Sequence, residues 1–499
     1  MTYSETIFAP ATSVGTGAIS IIRVSGPEST EIADRLITFR HGEAASSTGY
    51  SLKYGSILEE SGTLDEVVAA IYRAPQSYTG EDMVEIMCHS SQYVVARLLE
   101  LLGRAGARPA MPGEFTRRAF VNGKMDLSQA EAVADLIAST SESAHRLAMN
   151  QLKGNYSAKL SDIRGKLIEI ASLMELELDF SDEDIEFADR DRLAALLDEA
   201  VSHIDGLCAS FRDGNAIKNG VPVVIAGNVN TGKSTLLNAL VGDSRAIVSD
   251  IPGTTRDTVE DTMIIDGILY RFIDTAGIRE TSDKVEKMGI SRTLDRISEA
   301  DVIILVLDAL APLKELEKSV SSILPRLSTG QELICVRNKV DLFDAIHPEE
   351  FPVKDRSYNI FDLKYPAFGT YDIGTEDLAR KLCLASDGKF PAAAVSGGII
   401  DISALTGEGI DKLLDRLSKG RRGRFTSEEI LVTNARHANA LRRASESIAR
   451  VRDALSGHVP TDLLSQDLRE ALREIGSITG EITDEEVLGE IFGRFCIGK

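Results

Sequence analysis

The run Gly227-Asn228-Val229-Asn230-Thr231-Gly232-Lys233-Ser234 constrains this chain more than any other stretch. It follows an apolar strand, Val221 to Ala226, and opens a helical segment, Thr235 to Ala239, which is the strand, glycine-rich loop and helix that a phosphate-binding P-loop requires. That context belongs to a parallel α/β sheet. The glycines let backbone N–H groups wrap phosphates, Lys233 counters the β/γ charge, and the Ser234 hydroxyl is placed to ligate Mg²⁺. Asn230, Thr231, Gly232 and Thr235 complete the cradle. The eight-residue pattern alone occurs by chance; its flanks make it a nucleotide site.

Further elements follow in the order of a nucleotide fold. Ser249-Asp250-Ile251-Pro252 leads into Gly253-Thr254-Thr255-Arg256-Asp257, a switch in which Thr255 offers a second hydroxyl to Mg²⁺. A hairpin at Asp266-Gly267 leads into a strand ending at Asp274-Thr275-Ala276-Gly277, which places a carboxylate for a metal-bound water and a glycine N–H for the γ-phosphate. Asn338-Lys339-Val340-Asp341 follows the strand Leu333 to Val336. The aspartate there accepts both donors of the guanine N1/N2 edge, which adenine lacks, so the nucleotide is GTP. Ser403-Ala404-Leu405, after Ile399 to Ile402, matches the loop that backs the base. Over this region the chain resembles a translation-factor-type GTPase. One departure carries information: where small GTPases place a water-orienting glutamine, this chain has Ile278. Glu286, in the acidic run Glu280 to Glu286, is the candidate to position the water, set against the ordinary reading of such a run as a solvated face. No arginine finger is evident, a charge worth about 10³ to 10⁵ in rate, and a bound cation is the alternative source.

At 499 residues the chain exceeds one core and fits two to four domains at about 150 residues each. Residues 1–124 mix short β-like runs with Gly and Pro, as in a small α+β domain. Residues 125–219 turn helical and lack proline, with Leu160, Ile163, Leu167 and Ile170 at helical spacing. Residues 220–423 alternate strand and helix, and residues 424–499 are helical again, so an all-α domain is split by an inserted α/β G domain. The net charge of −22 repels nucleic acid on average; RNA contact must be local or shared with a basic partner. Five scattered cysteines read as reduced thiols rather than a disulfide or zinc framework. No apolar run reaches the roughly 18 residues of a membrane span and no secretory signal is visible, so a cytoplasmic location is expected.

The final residues carry a second chemical signal. Thr483-Asp484-Glu485-Glu486 is a capping box for a helix with Val487, Leu488, Ile491 and Phe492 at helical spacing, and Phe495-Cys496-Ile497-Gly498-Lys499 follows directly. A thiol and a lysine delivered there point to a fixed destination, against the bland alternative of Cys496 as a small buried hydrophobe.

Taken with Ser25-Gly26-Pro27, Tyr78-Thr79-Gly80-Glu81-Asp82, Pro112-Gly113-Glu114-Phe115-Thr116-Arg117-Arg118-Ala119-Phe120 and Asn122-Gly123-Lys124-Met125-Asp126-Leu127, these motifs resemble the MnmE (TrmE) tRNA modification GTPases over nearly the whole chain. The resemblance implies an N-terminal folate-binding and dimerisation domain (1–124), a discontinuous helical domain (125–219 and 424–499) and a G domain (220–423). It implies a homodimer that joins an FAD-dependent partner, MnmG (GidA), in a heterotetramer, and addition of a carboxymethylaminomethyl-type group to C5 of the wobble uridine of certain tRNAs. The one-carbon unit would come from a tetrahydrofolate derivative, 5-formyl- or methylene-tetrahydrofolate. Residue by residue, it implies Asn230, Ser249, Ile251 and Thr254 as K⁺ ligands, Glu286 as the catalytic glutamate, Cys496 as a second catalytic residue, and Arg23, Glu81, Lys124 and Lys499 as folate ligands.

Two departures stand out. His89-Ser90-Ser91 replaces the family's His-Gly-Gly, and a long segment of unassigned role separates Asp341 from Ser403. The basic run Lys419, Arg421, Arg422 and Arg424 reads as a solvated hinge before it reads as a tRNA contact. Two other functions compete with tRNA modification: a ribosome-assembly or transport GTPase, for which no KH-like loop or apolar span is evident, and a folate-dependent one-carbon enzyme with a regulatory GTPase.

Overall fold

A computed structural model of the chain describes residues 4–13, 15, 17–59, 62–179, 190–242, 260–273, 296–328, 330–342, 399–422, 430–456, 461–483 and 485–498. They form two compact units: Met1–Ala138 with Ala148–Ala209 and Asn434–Lys499, and Ser139–Leu147 with Ser210–Thr433.

The first unit carries seven strands: β1 (Ile7–Pro10), β2 (Ile19–Ser25), β3 (Ile37–Phe39), β4 (Ser51–Glu59), β5 (Gly62–Tyr72), β6 (Met83–His89) and β7 (Arg108–Pro109). They pair in the order β3-β4-β5-β6-β2-β1-β7, antiparallel except for β1 with β7. Alternation along the strands separates two faces. Ile22, Val24, Val67, Ala69, Ile71, Val84 and Ile86 turn toward one side, where they share a core with Leu98 and Leu102 of the helix Gln92–Arg104. The opposite face differs along its length. Ile7 and Ala9 of β1 are covered by Ala110, Phe115 and Tyr78, whereas Leu52 and Tyr54 of β4 lie 70% and 37% exposed.

Helices complete this unit. Leu160, Ile163, Leu167 and Ile170, spaced three and four apart on the helix Asn155–Asp179, are each fully buried, a stripe that only a packed helix produces. The helix Glu485–Gly493 seats Leu488 and Phe492, and after it Phe495, against Leu127, Ala130 and Val133 of the helix Leu127–Ala138. Val487, read as part of the same apolar stripe, is 37% exposed. Gly113, at φ +66°, lets backbone meet backbone: a Cβ there would lie 2.6 Å from the Phe492 carbonyl oxygen.

The second unit is the α/β sheet, with β8 (Val221–Ala226), β9 (Glu260–Ile265), β10 (Ile268–Ile273), β11 (Val302–Asp308), β12 (Glu332–Asn338) and β13 (Ile400–Asp401) in the order β13-β12-β11-β8-β10-β9. All pairs are parallel except β9 with β10. That hairpin turns through Asp266 and Gly267 at φ 49° and 76°, the two positive values of a type I′ turn. Ile303, Ile304, Leu305 and Val306 are all fully buried, as expected of a parallel strand covered on both faces. Residues 139–147 belong here because Ser143 donates from its N–H and its hydroxyl to the Gly267 carbonyl, while Ala144 and Leu147 join the sheet's core.

Candidate functional site

β8 lies between β11 and β10, and the chain leaves its carboxyl end through Gly227. This is the point where a doubly wound sheet opens a crevice for a ligand. Gly227, Asn230 and Gly232 have φ +151°, +63° and +90°, so three residues in the loop adopt conformations that L side chains rarely take. A Cβ at Gly227 would collide with the Val306 carbonyl, and one at Gly232 with Asn338 Nδ2. The helix Lys233–Val241 begins immediately, two residues earlier than its sequence signal, and presents its first N–H groups to the loop. Lys233 curls over that loop, its Nζ donating to the carbonyls of Gly227 at 3.0 Å and Asn228 at 2.7 Å. Burial lowers the ammonium's pKa, a cost that anionic phosphates would offset. The hydroxyl-bearing Ser234 and Thr235 are exposed on the first helical turn.

The segments expected to recognise the base are tied to the same loop. Asn338 donates from Nδ2 to the Thr231 carbonyl at 2.8 Å and accepts at Oδ1 from the Ala404 N–H at 2.9 Å. One side chain therefore joins the P-loop, the end of β12 and the Ser403-Ala404-Leu405 loop. Lys339, at φ 72°, pairs with Asp308 at 2.7 Å. Asp308 ends β11 and had no role in the sequence reading; its position beside β12 in register with Asn338 is the signal that finds it. Val340 turns the chain after Lys339 and Asp341 follows in helical conformation, Ser403 is buried, and Leu405 is 80% exposed. Ser249, Asp250, Ile251, Pro252, Gly253, Thr254, Thr255, Asp274, Thr275, Ala276, Gly277 and Glu286 lie outside the described residues.

In the first unit a second cluster forms. Arg23, on β2, pairs with its cross-strand partner Glu85 at 2.8 Å, lies 5.0 Å from the Tyr78 ring and 5.5 Å from the Phe115 ring, and donates to the Gly498 carbonyl at 3.3 Å. Glu81 accepts from Ser25 at 2.8 Å and from Arg118 at 3.0 Å. Arg118, on the helix Glu114–Val121, is fully buried and also holds Glu114 and the Glu5 carbonyl. Glu81 is thus an anchored, neutralised carboxylate rather than a free surface charge. Lys124 donates to the Pro75 carbonyl at 2.9 Å, and its turn meets the Glu81 loop, where a Cβ on Gly80 would lie 3.0 Å from Asn122 and 3.3 Å from Lys124. Cys496 is exposed, which removes the reading of it as a buried hydrophobe. Lys499 lies outside the described residues. The sequence reading passed over Arg118, although Phe115, Arg118 and Ala119, spaced i, i+3 and i+4, mark one buried helix face.

His89 donates its backbone N–H to Asp65 and sets Nδ1 2.6 Å from it, while Ser90, where the family usually has glycine, links Ser20 to the Gly15 carbonyl. The two serines after His89 therefore sit without a left-handed turn among the described residues.

The fold and the two-sided cradle define a guanine-nucleotide-binding P-loop protein. Comparison with known proteins narrows this. The family described as MnmE helical domain matches residues 127–496, and that described as GTP-binding protein TrmE N-terminus matches residues 6–124. The tRNA modification GTPase MnmE of Parabacteroides distasonis is 45% identical over 99% of this chain and 100% of its own length; that of Bacteroides thetaiotaomicron is 45% identical over 99% of each. The chain belongs to the MnmE family of tRNA modification GTPases. It binds and hydrolyses GTP, and among the described residues no helix is long and apolar enough to cross a membrane.

Proposed function

We propose that this chain is a potassium-dependent GTPase that, as a homodimer with an FAD-dependent MnmG-type partner, installs a carboxymethylaminomethyl-type group at C5 of the wobble uridine of certain tRNAs in the cytoplasm. The observation that carries this beyond GTP hydrolysis is the meeting of Arg23 with the Gly498 carbonyl, which brings the Cys496 segment to the residues read as folate ligands. A nucleotide switch alone has no use for that junction. Arg23 and Lys124, with Lys499, would hold the glutamyl carboxylates of a tetrahydrofolate, and Glu81 would accept from the pterin's N–H groups. The fit is physical: Glu81 is paired with Arg118 and keeps lone pairs beyond those that Ser25 and Arg118 occupy. When bound, the folate supplies the one-carbon unit.

Ser234 and Thr255 would hold Mg²⁺, whose charge polarises the γ-phosphate. Asn230, Ser249, Ile251 and Thr254 would hold K⁺, and oxygen donors suit such a hard cation. Asn230 is exposed on the loop at φ 63°, which agrees with a ligand facing away from the sheet. Glu286 would orient the attacking water, the task for which Ile278 is unfit. The homodimer draws support from the β4 end of the first sheet, where Leu52 is exposed.

Mass spectrometry of tRNA nucleosides from cells lacking the chain tests the reading: C5 substituents of wobble uridines should be missing, and their persistence would refute it. GTP turnover should be much faster in K⁺ than in Na⁺ at equal ionic strength, with Asn230→Ala abolishing the difference. Equal rates would remove the cation.

A further inference from the structure

The segment that bears Cys496 is pinned on both sides of the thiol. Phe495, before it, is buried against Phe492, with ring centroids 5.4 Å apart, and against the helix Leu127–Ala138. Gly498, two residues after it, is buried again, while Cys496 and Ile497 between them are exposed, Ile497 by 61%. The chain therefore arches outward over two residues and returns. The return is a backbone-to-backbone approach: a Cβ on Gly498 would collide with the Pro10 carbonyl oxygen and lie 3.0 Å from its carbon and 3.3 Å from Ala11 Cα. Gly498 has φ +102°, which L side chains avoid. Its carbonyl is held in turn by Arg23, whose own direction is set by Glu85 and by the Tyr78 and Phe115 rings.

We propose that Gly498 is the positioning residue of the Cys496 site, its missing side chain letting the segment close on Pro10 so that the thiol is presented at a fixed place beside Arg23. Two independent demands, the positive φ and the absence of space, select glycine at this position. Gly493, at the end of the preceding helix, meets neither: a Cβ there has nothing within 4 Å. The proposal rests on the reading of Cys496 as a working thiol, and its test separates the two.

Gly498→Ala and Gly493→Ala are compared in the full chain by hydrogen exchange over residues 494–499, by the alkylation rate of Cys496 read on its own peptide, by GTP turnover and by tRNA modification. Gly498→Ala should speed exchange in the segment, change the alkylation rate, and lower tRNA modification roughly 10²-fold, the scale for displacing a reacting group by an ångström. GTP turnover should not change in either variant, and Gly493→Ala should match the parent throughout. Unchanged exchange in Gly498→Ala would overturn the anchoring, and faster exchange with normal modification would overturn its role in the reaction. Cys496→Ser measured alongside isolates the other reading: if it modifies tRNA normally the thiol is not used, and the exchange data still decide whether Gly498 anchors the segment.

Discussion

The nucleotide cradle and the Cys496 site solve one problem, placing charged or reactive groups where backbone comes close to backbone, with opposite chain economies. The cradle concentrates the residues read as phosphate-facing between Gly227 and Thr235; among the described residues Asn338, itself tied to Ala404, and Ser319, which accepts from Asn228, reach it from elsewhere. The Cys496 site joins Arg23 to Gly498 across 475 positions of sequence, with Glu81, Arg118 and Lys124 from between. Both depend on glycines with positive φ. In the cradle Gly227 and Gly232 make room for Val306 and Asn338, whereas at Gly113 and Gly498 the room is for a distant stretch of the same chain. A contiguous site is carried by local geometry; a dispersed one needs buried struts.

The strut with the largest expected effect is Arg118. It is fully buried between Glu81 and Glu114, and Glu114 is further held by Arg108 at 2.7 Å. Removing one partner from such a network leaves buried charge uncompensated, at about 3–5 kcal/mol. Arg118→Met should destabilise the first unit on that scale, seen as faster hydrogen exchange across β1, β2 and β6, while GTP affinity stays at the parent's value. A loss of GTP affinity would break the contrast, since it would make the cradle depend on the dispersed site.

The converse change belongs to the cradle. Gly232→Ala must adopt φ +90° and displace Asn338 Nδ2. Strain at such positions costs about 1–3 kcal/mol, so GTP affinity should fall roughly 10²-fold by titration with a fluorescent guanine nucleotide. Exchange over residues 494–498 should be unaltered; a change there would show that the two sites are not independent.

These two residues also mark what could be read from sequence. Gly232 was legible because a P-loop is a local pattern whose spacing states its geometry. β8, the Asp266-Gly267 hairpin, the helical stripe from Leu160 to Ile170 and the docked helix at Leu488 and Phe492 were legible likewise, each from periodicity or turn chemistry within a few residues. Arg118 was not, because a buried arginine on a short helix looks like any surface arginine until its partners, Glu81 and the Glu5 carbonyl, arrive from other elements. The same holds for Asp308 with Lys339 and for Gly498, whose need for glycine comes from Pro10 at the far end of the chain. Ser139–Leu147 joined the second unit for a similar reason, a contact with Gly267 that helical periodicity cannot show.

A smaller effect sharpens the contrast within the helical part of the first unit. Glu131 is nearly buried, 2.6 Å from His437 Nε2 and 3.0 Å from Arg436, with the Tyr156 ring stacked on His437 at 5.6 Å. Burial alone would raise its pKa, but His437 and Arg436 together hold it well below the ordinary 4.5. A carboxylate depressed in the folded state stabilises fully above its ordinary value and loses that contribution as pH falls through the lower folded one. At pH 5 the parent should therefore exceed Glu131→Gln in first-unit stability by about 2 kcal/mol, and the difference should shrink below pH about 4.5. Parallel curves down to strong acid would mean that the ion pair is not the source.

The smallest effect concerns the hairpin that precedes Asp274 in the chain. Ser143 holds the Gly267 carbonyl twice, through its hydroxyl at 2.9 Å and its N–H at 3.2 Å, so Ser143→Ala removes the hydroxyl bond, together with a 3.3 Å contact to the Ser141 hydroxyl, and leaves the N–H bond. The remaining N–H keeps the carbonyl satisfied, and the loss should stay at about 0.5–1.5 kcal/mol of second-unit stability, seen as faster exchange in β9 and β10. GTP affinity should be unmoved, because the cradle is fixed from β8, β12 and Asn338 rather than from this turn. Turnover is the sharper readout. β10 runs directly into the segment read as Asp274-Thr275-Ala276-Gly277, so a drop in turnover at unchanged affinity would show that the turn's anchor sets the catalytic segment and would place one strut of the dispersed kind inside the contiguous site.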